Sequence, residues 1–262
     1  ECAVRDKKWP DTLKTILLWT AFVGGLLLVW EGLAAWGFAD PFYVSRPSSI
    51  LIDFKNLFVS GEIWPHIAIT MQATLIGLIL GCAGGVVTAF IMARFKLVEK
   101  IMDPLIVALY GIPKLALGPL FILWFGLGIN SKIFLAFIWV FFIMYFNAYG
   151  GFKNVEPRLI NAAKLMGASR AQIIFKIVLP SSFPWLFTGL RAGLGVALLG
   201  AIVGEYIGSM AGLGHLVQYA GNMFNTTRVF STILVMTTLM MLMNEGVKFA
   251  ERKILRWRPV DA

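Results

Sequence analysis

Few side chains in this sequence are equipped for chemistry, and they stand apart from one another. Lys114 follows Pro113 in an otherwise apolar stretch. An ammonium there either attracts an anion or satisfies a carbonyl freed where proline interrupts a helix. Arg191 and Glu205 mark the two ends of another apolar run, and Asn147 sits inside a third. Arg191 either lines a gate or reaches back to a polar interface. Glu205 either serves a gate or docking partner at its end of the run or faces water. Asn147 either lines a passage or hydrogen-bonds between helices. His66 and His215 are far apart and read as structural or interfacial residues. With Cys2 and Cys82 they form no set with metal-ligand spacing, and no disulfide framework follows from two cysteines. The sequence contains no G-x-x-x-x-G-K-[ST] loop, no H-E-x-x-H pair and no G-x-S-x-G elbow. Its carboxylates are isolated. These residues describe no enzyme and call for no cofactor.

The elements that must position such residues are set by composition. The chain has 262 residues, 58% hydrophobic and 14% charged, with a mean hydropathy of +0.78. Soluble domains carry about 45–50% apolar and about 25% charged residues. A soluble globule could not hide this much apolar surface, and disorder requires the opposite composition. The class is an all-α polytopic membrane protein. A spanning helix needs about 20 mostly apolar residues, and six stretches qualify: about 15–36, within 67–93, about 102–127, 132–151, 186–208 and 229–248. The first is read as a retained helix and not a cleaved signal, in a chain that opens on Glu1. The third is broken at Gly111-Ile112-Pro113-Lys114 and again at Gly118-Pro119. Counted along a straight helix from Met102, Lys114 would lie about 18 Å in, near the midplane, and broken helices at that depth are where transporters pass substrate.

The net charge of +9 is explained by topology, not by nucleic acid. With the N-terminus cytoplasmic, the inside segments 1–14, 94–103, 153–176 and 248–262 hold 17 Lys and Arg, and the outside segments hold four: Arg46, Lys55, Lys132 and Arg228. Basic residues collect on the cytoplasmic side. Both ends are then inside, as an even number of spans requires. The layout is a segment 1–14, a membrane domain 15–252 with a cytoplasmic loop at 153–180, and a tail 253–262. Trp9, Trp36, Trp64, Trp185 and Trp257 fall near span ends, consistent with an interfacial belt. Gly77, Gly81, Gly84 and Gly85 permit close helix packing.

The loop NVEPRLINAAKLMGASRAQIIFKIVLP (154–180) reads as a helix, a turn and a helix. Pro157 suits a first turn, Ala162 and Ala163 offer a small face, and Gly167 ends the helix. Ser169 and Gln172 fit a capping box opening a second helix, which Leu179-Pro180 is expected to stop at the membrane. Such a rigid knob suits docking of another protein.

This loop resembles that of inner-membrane permeases of binding-protein-dependent ABC importers: EAA, three residues, Gly, nine residues, Ile-x-Leu-Pro. Here Asn161-Ala162-Ala163 is followed by Gly167 and then by Ile177-x-Leu179-Pro180 at the same spacing, with Asn161 in place of Glu. The segments SRPSSI (45–50), PKLALGPLFILWFGLG (113–128), FTGLR (187–191) and GLGHLV (212–217) look like the subgroup importing nitrate, taurine and alkanesulfonates. The resemblance implies a type I ABC importer permease fold in a bacterial inner membrane. It also implies two cytoplasmic ABC ATPase subunits, an extracytoplasmic substrate-binding protein, a second copy of the permease, and a small, anionic solute. A secondary transporter or channel working without an ATPase is the alternative, but such proteins usually show internal repeats, and none is evident.

Overall fold

The computed structural model describes residues 8–38 and 40–255, which are helical with no strand among them. In chain order the helices are α1 (Lys8–Ala35), α2 (Pro41–Val44), α3 (Pro47–Val59), α4 (Ile63–Arg94), α5 (Lys96–Gly111), α6 (Gly118–Phe125), α7 (Ile129–Lys153), α8 (Pro157–Leu165), α9 (Arg170–Ile173), α10 (Leu179–Ile207), α11 (Leu213–Asn222) and α12 (Thr226–Ile254). Cys2 and Trp257 lie outside the described residues, as does most of the expected tail 253–262.

Helix α7 is the centre of the bundle, and small residues on its neighbours bring them close. A methyl on Gly77 would come within 2.5 Å of Ala136 Cβ, one on Gly81 within 2.6 Å of Val140 Cβ, and one on Gly85 within 2.9 Å of Met144 Cβ. On the other side Gly204 meets Lys132, Gly200 meets Ala136, and Gly189 meets Asn147. Where both neighbours lack a side chain, backbones approach and dispersion contacts multiply.

This register also settles the number of crossings. Contact positions rise together on α4 and α7, so these helices run parallel. The chain between them must therefore return across the bundle, and α5 with α6 makes that return. The two are bent by 81° at the break. The pair is one broken span, giving six crossings with the five long apolar helices. By the same test α10 is antiparallel to α7, and α12 to α10, where Arg191 pairs with Glu251. Trp30, near the end of α1, packs on Phe230, near the start of α12, with centroids 5.6 Å apart. The end of α12 thus shares the end that carries residues 154–178.

Two sequence expectations need correction. Leu179-Pro180 does not stop the second loop helix. Residues 170–207 run as one continuous helical stretch, because a π-helical turn at Ile174–Val178 widens the backbone where the Pro180 ring would meet the carbonyl of residue 176. Lys114 does not stand on a straight helix 18 Å from its start. It opens a 3-10 turn, Lys114–Leu117, after the extended Pro113 (φ −68°, ψ 95°).

Candidate functional site

The end of the bundle opposite the loop is closed by buried polar groups. Glu205, near the end of α10, is fully buried, and no aqueous vestibule reaches it in this structure. Thr70 Oγ1 of α4 donates to its carboxylate at 2.8 Å, and the Gly214 amide of α11 donates at 2.8 Å. The Leu213 amide in turn donates to Thr70 Oγ1 at 2.9 Å. A carboxylate at a helix N-terminus meets free amides and the positive end of the dipole. The approach demands glycine: Gly212 has φ +118°, and a Cβ there would overlap the Glu205 carboxylate. His66 Nδ1 lies 3.0 Å from the Gly212 carbonyl oxygen, and the His66 and His215 rings stack with centroids 6.4 Å apart.

Lys132 is the functional-looking residue that sequence reasoning missed. Counted there as an outside charge, it lies in the first turn of α7 with 1% of its surface exposed. Its Nζ donates to the carbonyls of Gly128 and Gly208 at 2.8 Å each and to that of Leu127. It thereby ties the α6–α7 connection to the α10–α11 connection. A signal was available. A cation is unfavourable in the first turn of a helix, so a lysine there needs acceptors from elsewhere.

The break behaves differently. Lys114 Nζ donates to the Tyr110 carbonyl at 2.8 Å and lies 4.5 Å and 4.8 Å from the ring centroids of Tyr110 and Phe142. Beside it opens a pocket of 330 Å³ lined by Tyr110, Pro113, Lys114, Trp139, Ile143 and Val196, among others. Asn147 donates to the Ile143 carbonyl of its own helix at 2.8 Å. It packs on Gly189 and makes no hydrogen bond across helices among the described residues. Arg191 is engaged by Glu251. Pro113, Lys114, Asn147, Arg191 and Glu205 therefore do not converge on one cavity: Pro113 and Lys114 share the pocket, and Glu205 belongs to the closed end.

The loop is built as its residues suggested. Helix α8 ends in a paired turn: the Ala168 amide donates to Ala163 and the Gly167 amide to Lys164, both at 3.0 Å, with Gly167 at φ +79°. This is the Schellman geometry. Ser169 and Gln172 form the capping box, Ser169 N–H to Gln172 Oε1 at 2.8 Å and the reciprocal bond at 3.3 Å. Asn161 and Ala162 are exposed and Ala163 half-buried. Ile177, Leu179 and Pro180 are half-buried at the base, where Leu179 packs on the cluster of Met92, Tyr145 and Phe152. Leu165 and Met166 at the tip are 90% and 87% exposed. A rigid turn holding two apolar side chains in water is a surface waiting for cover.

Comparison with known proteins decides what the loop belongs to. The family of inner-membrane components of binding-protein-dependent transport systems matches residues 73–256. The chain belongs to that family. It is a permease subunit of an ABC importer, and its six-crossing bundle is the family's transport element. The permease is 33% identical to a putative aliphatic sulfonates transport permease protein, SsuC, of Bacillus subtilis, over 89% of this chain and 84% of that one. It is 31% identical to the taurine transport system permease protein TauC of Escherichia coli, over 95% and 92%. Among solved structures, the MetNI methionine ABC transporter in inward-facing conformations matches with TM-score 0.60 and 20% identity. The match covers 73% of this chain and 94% of that one, and it supports the fold.

Proposed function

We propose that the permease carries a small organic anion, of the sulfonate or taurine kind, through a pathway shared with a second copy of itself. ABC ATPase subunits dock on the 153–180 loop from the cytoplasm, and a binding protein delivers solute to the opposite end. Both termini are then cytoplasmic, in agreement with 17 basic residues on the loop side against four and with the positive-inside rule. The membrane is a bacterial inner membrane; the family description names an inner membrane component, and the sulfonate and taurine relatives are bacterial.

The observation that carries this reading is the loop: a helix end locked by Gly167, a capped second helix, and Leu165 and Met166 held out between them. Asn161 and Ala162 are exposed on α8 with Ala163 half-buried beside them, and Ile177, Leu179 and Pro180 transmit its position into α10 through a continuous helix. Movement of the knob therefore turns α10 directly. The sequence has no phosphate-binding loop of its own, so hydrolysis falls to the docked partner. The solute class rests on the sulfonate and taurine relatives and on the Lys114 ammonium at the break of the α5–α6 span.

The test is co-purification of the ATPase from the same transport system. Wild-type permease retains it through detergent extraction. Leu165→Asp with Met166→Asp loses it while still inserting in the membrane. Full retention by the double variant would overturn the docking assignment.

A further inference from the structure

The pocket at the break deepens this reading, on which it rests. We infer that it is a subsite for a short amphipathic oxyanion, such as an alkanesulfonate, with the acid head on Lys114 and Trp139 and the alkyl part on Ile143 and Val196.

Three observations carry the assignment. The first is unused donor capacity. An ammonium has three N–H donors, and only one of Lys114's is taken, by Tyr110 at 2.8 Å. Tyr110 and Phe142 also face the charge with their rings, and among the described residues no other oxygen or nitrogen accepts from it. The second is Trp139. Its indole N–H is buried without an acceptor among the described residues, and Trp139 lines the same pocket as Lys114. Buried polar groups in native structures are normally paired, so an orphan donor beside a cation marks a place where an acceptor is expected. The third is the character of the walls. No carboxylate lines the pocket; Ile143 and Val196 do. Donors at one side and aliphatic surface at the other fit a molecule with an anionic head and a hydrocarbon stub. At 330 Å³ the pocket falls within the range of small-molecule sites.

A solute whose only charge is a guanidinium or ammonium does not fit the same inventory, since the pocket offers donors and a positive charge. A neutral sugar would leave the ammonium without a counter-charge. Sulfonate is favoured over a bare inorganic anion because the aliphatic walls would otherwise face water.

The experiment uses the assembled permease–ATPase complex in proteoliposomes with saturating binding protein and radiolabelled ethanesulfonate as the probe. Uptake is normalised to co-purified ATPase. With the binding protein saturating, loss at the subsite appears in the maximal rate and not in half-saturation. Lys114→Met is expected to lower that rate about tenfold, the effect of one charge-assisted hydrogen bond. Lys114→Arg keeps part of it, because charge persists while geometry changes. Trp139→Phe removes the N–H and shrinks the bicyclic indole to a phenyl ring, so it is expected to lower uptake severalfold while ATPase retention holds. Lys248→Met, at an exposed pair with Glu245, leaves uptake unchanged. Normal uptake by both Lys114→Met and Trp139→Phe overturns the subsite. So does a wild-type complex that hydrolyses ATP with its binding protein yet moves no ethanesulfonate. In either case the permease keeps its ATPase and the broader reading stands. A complex that never retains its ATPase fails that reading instead.

Discussion

Lys132 and Lys114 are the same side chain at two levels of one bundle, one at its closed end and one beside the middle of α7, and they do opposite things. Lys132 has three carbonyl acceptors, drawn from the two connections it ties together, and no exposed surface to speak of. Lys114 has one carbonyl, two ring faces and an open pocket. The difference lies in the count of acceptors. A buried ammonium whose three donors are all used is a structural tie. One with donors to spare, beside an unpaired indole N–H, is available to a ligand. Glu205 stands with Lys132 on the structural side: Thr70 and Gly214 donate to its oxygens.

The largest effect expected from this contrast is Lys132→Met. It leaves the carbonyls of Leu127, Gly128 and Gly208 without their donor and should destabilise the permease by about 3–5 kcal/mol. The measure is loss of monodisperse protein on heating in detergent. A variant as stable as wild type would erase the distinction between the two lysines. Gly212→Ala comes next, at about 2–4 kcal/mol by the same measure, because a Cβ at φ +118° is both strained and in contact with Glu205. If Glu205→Gln, which keeps the shape, rescued the Ala variant, the cost would be electrostatic and not steric.

Lys114→Met should cost under about 1 kcal/mol, since it forfeits one hydrogen bond and a partly exposed ring contact. Its consequence is expected in transport instead. A large loss of thermal stability would move Lys114 into the same structural class as Lys132. Leu165→Asp should leave stability within about 0.5 kcal/mol, as surface changes do, while ATPase retention falls. Thermal melting of the permease alone, set beside co-purification, separates the two outcomes. Together the four variants separate backbone ties at the closed end from the proposed solute subsite at the break and the proposed docking surface on the loop.

Much of this architecture was legible in the sequence because it depends on neighbours along the chain. Six spans follow from runs of apolar residues. The knob follows from Pro157, Gly167 and the Ser169–Gln172 box, all local rules confirmed by hydrogen bonds three to five residues apart. The break at Pro113 is equally local, since proline withholds its own amide. The glycines of α4 announced close packing, though not against which helix.

What tertiary structure alone decided are matters of distant partners. The parallel course of α4 and α7, which makes α5 and α6 a single broken span, appears only when Gly77, Gly81 and Gly85 are matched with Ala136, Val140 and Met144. The passage of the helix through Pro180 depends on a π-turn that no residue pattern announced. Glu205 finds Thr70 across 135 residues, and Lys132 finds the Gly208 carbonyl across 76. A charged side chain in an apolar run states that it needs partners, because burial without them is too costly. Whether those partners are the protein's own carbonyls or a ligand still to come is set by where the rest of the chain folds around it.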